Sequence, residues 1–177
     1  PRQSPDAATL TYPLPTGGPN WGGGSYHPDL GLYIINMQNR PVYRPRAAPG
    51  TGPGMMNRNA AGAGGPPRLT GVRPPPGFSF RTADGLTLSC GATPWGELVA
   101  VDVNTRTIAW RSTLGMTLAL GEAGRNTGTA NLGGNIVTAS GLVFIGATND
   151  RRFRAFDARS GEQLWETELE ASAHATP

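Results

Sequence analysis

Short alternations of apolar and polar residues recur at a fixed spacing in the C-terminal half of the chain. Residues 153–156 (Phe-Arg-Ala-Phe) alternate as a half-buried strand does, and residues 98–101 (Leu-Val-Ala-Val) supply β-forming residues at the corresponding place. Three anchors lie 55 positions apart in the two copies, namely Gly91 and Gly146, Asp102 and Asp157, and Trp110 and Trp165. A fixed period of this length predicts a repeat protein.

Each copy predicts a β-hairpin whose turn follows the Asp. The carboxylate can accept hydrogen bonds from the backbone just after it, and Asn104 or Gly161 can adopt a positive φ. The returning strand ends in a Trp, whose large apolar area we expect to be buried against a neighbouring sheet. A second hairpin precedes the later copy. The predicted strands are 98–102, 107–112, 134–138, 142–147, 152–157 and 162–168. Four strands per repeat are typical of a β-propeller blade.

The N-terminal half is organised unevenly. A further hairpin is predicted at residues 24–27 and 32–36, around the turn 28–31. In residues 41–79, 17 of 39 residues are Gly or Pro, so we expect a long Gly/Pro-rich insertion between blades there and no packed sheet.

The length limits the number of blades. Dividing 177 residues by 55 gives about 3.2 repeats, whereas propellers close with roughly 4 to 8 blades. The sequence therefore predicts an all-β fold, an incomplete β-propeller of about three blades. Residues 1–177 would form one partial propeller domain, as a fragment of a longer protein.

Charge and composition exclude several classes of protein. The 15 basic residues are all Arg, the formal net charge is only +3, and the arginines are scattered along the chain. Nucleic-acid binding needs a clustered basic face, so no nucleic-acid partner is expected. No metal-ligating cluster, phosphate loop or Ser/His/Asp set has usable spacing, and no metal ligand is assigned to this chain.

The two Asp-to-Trp segments resemble the tryptophan-docking repeat of quinoprotein dehydrogenases. Further strings sharpen the resemblance to the membrane-bound type of glucose dehydrogenase that depends on pyrroloquinoline quinone (PQQ). These strings are residues 19–23 (Pro-Asn-Trp-Gly-Gly), 93–96 (Thr-Pro-Trp-Gly) and 132–148. The resemblance covers about residues 19–40 and 86–177 and implies an eight-bladed propeller.

The resemblance also implies an activity. It is the oxidation of an aldose such as glucose, or of a related alcohol, with PQQ as electron acceptor and Ca²⁺ or Mg²⁺ polarising the quinone. Electrons would pass to a membrane quinone or a cytochrome. The expected location is the periplasm, with an inner-membrane anchor in a missing N-terminal region. The catalytic base and most metal ligands are expected outside this chain, and the fragment alone is expected to be inactive.

Three residues are the candidates for contact with the cofactor. The resemblance places Asn20 at PQQ, where an amide can donate to and accept from the quinone oxygens; the alternative is a turn Asn that caps the blade entry. It also places Asp150 near the pocket, against the alternative of a solvated loop Asp. Trp95 faces the pocket in one interpretation and packs as a core or docking indole in the other.

The sequence is also compatible with a second class of function. The same docking repeats occur in non-catalytic propellers that serve as scaffolds for protein–protein interaction. The Asn-Trp-Gly-Gly string at residues 20–23 distinguishes the two hypotheses, because a scaffold has no need of an amide directed at the propeller axis.

Overall fold

The computed structural model describes residues 9–13, 18–44, 79–81, 87–89 and 91–176. The chain divides into two compact units. The smaller comprises Pro1–Thr11 and Pro41–Cys90, and the larger comprises Tyr12–Arg40 and Gly91–Pro177. Strands are numbered along the chain.

The smaller unit contains two antiparallel ladders. Strand β1 (Thr9–Thr11) pairs with β4 (Val42–Arg44), and β5 (Ser79–Arg81) pairs with β6 (Thr87–Ser89). Part of the expected insertion at residues 41–79 is therefore a strand. Its remainder, residues 45–78, lies outside the described residues.

The larger unit contains two four-stranded antiparallel sheets with the same topology. The first, in spatial order, is β2 (Gly24–His27), β3 (Leu32–Gln38), β7 (Gly96–Asp102) and β8 (Thr107–Thr113). The second is β9 (Asn135–Val137), β10 (Leu142–Ile145), β11 (Arg152–Asp157) and β12 (Gln163–Glu168). Each sheet is one propeller blade, so the prediction of an all-β partial propeller is confirmed.

The described part of the chain holds two four-stranded blades, fewer than the three estimated from length. The estimate divided all 177 residues by the repeat period, but residues 41–90 belong to the smaller unit. An insertion of this size adds length to the first blade without adding a blade.

The two blades are equivalent in register. In both outer hairpins the Trp pairs with an Ala, Trp110 with Ala100 and Trp165 with Ala155, and a β-bulge follows that Ala. A bulge at the same place in both copies gives the two outer strands the same local bend and twist. The 55-residue repeat of the sequence is thus a repeat of backbone geometry.

The turn after each repeated Asp is also the same. The Asp102 carboxylate accepts the backbone N–H groups of Asn104 and Thr105 at 2.8 and 3.1 Å, and Asp157 accepts those two and three residues later, both at 2.8 Å. These backbone N–H donors lower the pKa of both carboxyl groups. The left-handed residue is Arg106 (φ 59°) in the first copy and Gly161 (φ 73°) in the second, so the first turn uses Arg106 rather than Asn104 for this conformation.

We expect Gly161→Ala to lower the free energy of unfolding by about 1 to 3 kcal/mol, because an L residue at this positive φ is strained. A Cβ would also lie 2.6 Å from Cδ2 of Trp110. The matched control is Arg106→Ala at the same turn position, where the change should stay within about 0.5 kcal/mol. Urea unfolding measures both; equal losses would contradict the argument.

The hydrophobic core lies between the two blades. The first blade and its connections contribute Leu32, Ile34, Leu98, Ala100 and Leu114, and the second contributes Val143, Ile145, Ala147, Phe156 and Ala158. The strand residues of both sets occupy alternate positions, such as Leu32 and Ile34 or Val143 and Ile145, as expected when one face of each sheet is buried against the other.

The two repeated indoles differ in burial. Trp110 packs against this core and donates its Nε1–H to the carbonyl of Ala158 on the second blade at 3.0 Å. Trp165 is 50% exposed. Trp110 is partly buried, so the prediction of buried indoles is confirmed in part for Trp110 and wrong for Trp165. The register of the two is the same, so the difference arises because no following sheet covers Trp165 in the described part of the chain.

The blades are joined by residues 114–134. This connection contains two short 3₁₀ turns within Leu118–Gly124, separated by a kink at Gly121 (φ 55°). Within the described residues, no helix has the length and apolar character needed to cross a membrane.

Candidate functional site

The candidate residues lie at the same end of the two blades, where particular strands begin or end. Because neighbouring strands are antiparallel, β2 and β9 begin at the edge where β3 and β10 end. A hydrogen bond from the Ser25 hydroxyl to Asn135 Oδ1 joins the starts of the two innermost strands. The segments before β2 and β9, residues 20–23 and 131–134, therefore lie side by side; we call them the inner-strand edge.

Asn20 occupies a tight turn at the inner-strand edge. Its Oδ1 accepts the backbone N–H of Trp21 at 2.7 Å, and its carbonyl accepts the N–H of Gly23 at 3.0 Å. The amide Nδ2 has no hydrogen-bond partner among the described residues. Asn20 thus caps the turn with one side-chain atom and presents two N–H donors with the other.

A second Asn occupies the corresponding place in the next blade. Asn131 begins an Asn-Leu-Gly-Gly string that ends one residue before β9, as Asn-Trp-Gly-Gly ends one residue before β2. Sequence reasoning missed Asn131, although the repeated Asn-x-Gly-Gly pattern was available as a signal. The insertion in the first blade separates the two strings by 111 residues rather than 55, which hides the equivalence.

The glycines of the two strings are in close contact. A Cβ on Gly22 would lie 2.5 Å from the carbonyl carbon of Gly133, and one on Gly134 would lie 2.5 Å from the carbonyl oxygen of Gly22. No side chain fits at these positions without moving backbone. The glycines are therefore required for the two blades to meet at the inner-strand edge.

Asp150 lies in the loop between β10 and β11, and both oxygens of its carboxylate are hydrogen-bonded. It is 2% exposed and accepts four hydrogen bonds. The donors are the backbone N–H of Met116 at 2.9 Å, the Thr148 hydroxyl at 2.5 Å and both terminal nitrogens of Arg154. Four bonds use the lone-pair sites of a carboxylate. Asp150 is a buried partner of Arg154, and the alternative of a solvated loop Asp does not hold.

The charge on Asp150 is stabilised by these donors. Burial by itself would raise the pKa of the carboxyl group, but the hydrogen bonds from Arg154 and Thr148 and the positive charge of Arg154 together lower it below its usual value. The ion pair is therefore present at neutral pH. It ties the loop between β10 and β11 to the connection that contains Met116.

Trp95 is packed rather than exposed. It is 7% exposed, and its indole N–H donates to the carbonyl of Gly91 at 2.8 Å. Its backbone N–H donates to the carbonyl of Thr127 at 2.7 Å, and its carbonyl accepts from Asn39. This geometry corresponds to the packed-indole interpretation.

The cavity between the blades lies away from the inner-strand edge. It has a volume of about 420 Å³ and is lined mainly by the outer strands β8, β11 and β12 and by the connection after β8. Its charged lining residues are already paired, Arg154 with Asp150 and Glu166, and Arg125 with Glu122. The cavity has no orphaned charge that would identify a ligand.

The fold and its inner-strand edge define one part of a β-propeller in which blades of this type surround an axis. A PQQ family model, described as glucose/ethanol/alcohol dehydrogenase, beta-propeller domain, matches residues 1–177. The chain belongs to this family of PQQ-dependent dehydrogenases.

Individual relatives differ in their substrates. The chain is 31% identical to the glycerol dehydrogenase large subunit of Gluconobacter thailandicus, over 98% of this chain and 26% of the relative. It is 32% identical to quinoprotein glucose dehydrogenase A of Acinetobacter calcoaceticus, over 96% of this chain and 22% of the relative. The chain thus spans about a quarter of the length of these relatives.

A solved structure supports the same assignment. The quinohemoprotein alcohol dehydrogenase of Comamonas testosteroni superposes with a TM-score of 0.55 at 25% identity, covering 96% of this chain and 21% of that chain. Membership in a family of dehydrogenases favours the enzyme hypothesis over the non-catalytic scaffold.

The inner-strand edge fits one side of a PQQ site. The cofactor carries quinone and carboxylate oxygens, and the Asn20 amide offers N–H donors that no other described residue uses. The carboxylate of Asp150 does not fit a metal ion without losing one of its four donors. Among the described residues, no group of three or more His, Cys, Asp or Glu side chains could hold a metal ion.

Proposed function

We propose that this chain is the part of a PQQ-dependent dehydrogenase that lies against one side of the cofactor, in an enzyme that oxidises an aldose or a related alcohol. The unpartnered Asn20 amide at the inner-strand edge carries this proposal. It is supported by membership of the family, whose description names glucose, ethanol and alcohol as substrates.

The residues of this chain hold and orient the cofactor in this proposal. Asn20 donates from Nδ2 to a cofactor oxygen, while its Oδ1 stays on the Trp21 N–H and fixes the rotamer. Asp150 and Trp95 support the site without contacting the cofactor. The Asp150–Arg154 pair fixes the loop after β10, and Trp95 packs directly before β7 in the first blade. Bound PQQ supplies the two-electron oxidation of a CH–OH group.

Substrate class, acceptor and location are the broader part of the proposal. The glycerol and glucose dehydrogenases among the relatives support a polyhydroxylated substrate, and we favour an aldose. We propose Ca²⁺ or Mg²⁺ as the metal, a membrane quinone or a cytochrome as acceptor, and the periplasm as the location, with an inner-membrane anchor outside this sequence. Dye-linked oxidation of glucose and of glycerol by the full-length holoenzyme compares the substrates directly.

We expect Asn20→Ala in the full-length protein to weaken PQQ binding by about five- to a hundredfold. The substitution removes one partner of a cofactor oxygen, which costs about 1 to 3 kcal/mol, and each 1.4 kcal/mol is roughly a factor of ten in affinity. PQQ titration of the apoprotein measures the change. The matched control is Asn126→Ala, an exposed Asn in the connection between the blades, which should leave the affinity unchanged.

The melting temperature of the apoprotein distinguishes the two roles of Asn20. An Asn20→Ala protein that melts early yet binds PQQ normally when folded would assign Asn20 to turn capping alone. An intact melting temperature with weakened binding supports contact with the cofactor.

A further inference from the structure

A buried network of side-chain amides joins β3 of the first blade to residues 131–134 of the inner-strand edge. Asn36 on β3 donates from Nδ2 to Asn131 Oδ1 at 2.7 Å and to the carbonyl of Gly133 at 2.9 Å. Asn131 returns the contact by donating from its own Nδ2 to the carbonyl of Met37 at 3.0 Å. Gln38 donates to the carbonyl of Asn131 at 2.7 Å. We call these contacts the Asn131 clasp.

The clasp is buried and specific. Asn36 and Asn131 are each 1% exposed, and Gln38 is 3% exposed. Buried amides are costly unless they are hydrogen-bonded; the Nδ2 groups of Asn36 and Asn131 are bonded, whereas Asn36 Oδ1 has no partner among the described residues. The bonds that are made join the two blades in one relative position.

The clasp is connected to Asn20 through backbone contacts. Asn36 binds Gly133 directly. Gly133 and Gly134 in turn lie against Gly22, at separations that exclude a Cβ. Gly22 belongs to the same four-residue turn as Asn20, which is closed by the hydrogen bond from Gly23 to the Asn20 carbonyl. A shift of residues 131–134 therefore moves the Asn20 turn.

We propose that Asn131 is a positioning residue that sets the direction of the Asn20 amide toward the cofactor, an inference that rests on the proposed function. The Asn residues of the two Asn-x-Gly-Gly strings have different roles in this proposal. In the first, the Asn side chain leaves its donors free; in the second, the Asn side chain is used to fix the blade. Asn131 does not touch the cofactor in this arrangement and acts through Gly133, Gly134 and Gly22.

The test is a double-mutant cycle on PQQ affinity in the full-length protein, using Asn131→Ala, Asn20→Ala and the double variant. We expect Asn131→Ala to weaken PQQ binding by about tenfold, the upper range for neutral hydrogen bonds. In the Asn20→Ala background the same substitution should change the affinity by less than about twofold, because the amide that it positions is already absent. The absorbance spectrum of bound PQQ should shift in the same direction in both single variants.

A matched control separates positioning from general stability. Ser112 on the outer strand β8 lies at the same blade interface but away from the inner-strand edge, and its hydroxyl donates to the carbonyl of Gly161 on the second blade. Ser112→Ala should lower the melting temperature as Asn131→Ala does, while leaving PQQ affinity unchanged. Should Asn131→Ala fail to fold, Asn36→Ala removes the other half of the clasp and is expected to give the same coupling with Asn20→Ala.

The outcomes are distinguishable. Suppose that Asn20→Ala weakens PQQ binding, while Asn131→Ala leaves PQQ affinity unchanged or has an effect that simply adds to that of Asn20→Ala. This result overturns the present inference and leaves the proposed function intact. Unchanged binding in Asn20→Ala overturns the cofactor role of Asn20 and this inference with it. Coupled losses support both.

Discussion

Arg154→Ala should lower the free energy of unfolding by about 3 to 5 kcal/mol, because it leaves the buried Asp150 carboxylate without its cation. Arg154 is 3% exposed and contacts Asp150 through both terminal nitrogens. It also contacts Glu166 at 3.3 Å. Urea unfolding of the variant and the parent protein measures the loss.

The control for this prediction is an exposed pair of the same type. Arg125 and Glu122 form an ion pair at 2.6 Å with both side chains mostly in solvent. Arg125→Ala should leave the urea midpoint nearly unchanged, because solvent screens an exposed ion pair. Similar losses for the two variants would show that burial does not determine the strength of the Asp150–Arg154 pair.

Acid should reduce the difference between Arg154→Ala and the parent protein. The folded-state pKa of Asp150 is lowered, so the stabilisation that it provides is present above the unfolded pKa, near 3.9, and is lost as the pH falls through the folded pKa. In the variant, the buried Asp150 carboxyl group lacks its cation, so burial raises its pKa. Acid therefore lowers the free energy of unfolding of the variant less than that of the parent protein. A gap that widens below about pH 4 would contradict this sign.

Trp110→Ala should lower the free energy of unfolding by about 3 to 5 kcal/mol through the cavity that it leaves between the blades. The indole packs against the core and donates to Ala158. Trp165→Ala, at the equivalent register but 50% exposed, should cost only about 1 kcal/mol in the 177-residue chain. The pair is its own matched control, because backbone and residue type are the same.

The comparison extends to a longer protein. In a chain that places a further sheet on Trp165, its substitution should become as costly as that of Trp110. Equal costs in the 177-residue chain, measured by urea unfolding, would show that burial of the indole is not what distinguishes the two positions.

The sequence predicted the local structure well because local signals repeat in it. The strands at 96–102 and 107–113 were expected at 98–102 and 107–112, and those at 152–157 and 163–168 were expected at 152–157 and 162–168. Each hairpin has its own Asp turn, whose hydrogen bonds are made within three residues. Such structure depends little on distant contacts.

The candidate site was less predictable. Asp150 was expected near a pocket, but its partners include Met116, which is 34 positions away in the chain. The repeated Asn-x-Gly-Gly string signals the position of Asn131, but its role depends on Asn36 and Met37 across the blade interface. Hydrogen bonds between residues about 95 positions apart leave no spacing pattern in a single sequence.

The amino-acid sequence by itself determined the blade repeat, the turns after Asp102 and Asp157, and the resemblance that led to the family, because each depends on residues close in the chain. Only the tertiary structure decided which of these side chains are buried or hydrogen-bonded to other parts of the chain. Asp150 and Asn131 are buried among hydrogen-bond partners, and Trp110 is partly covered by the second blade, whereas Trp165 stays half exposed. Burial is a property of the neighbouring sheet, and the same motif therefore has different surroundings in each blade.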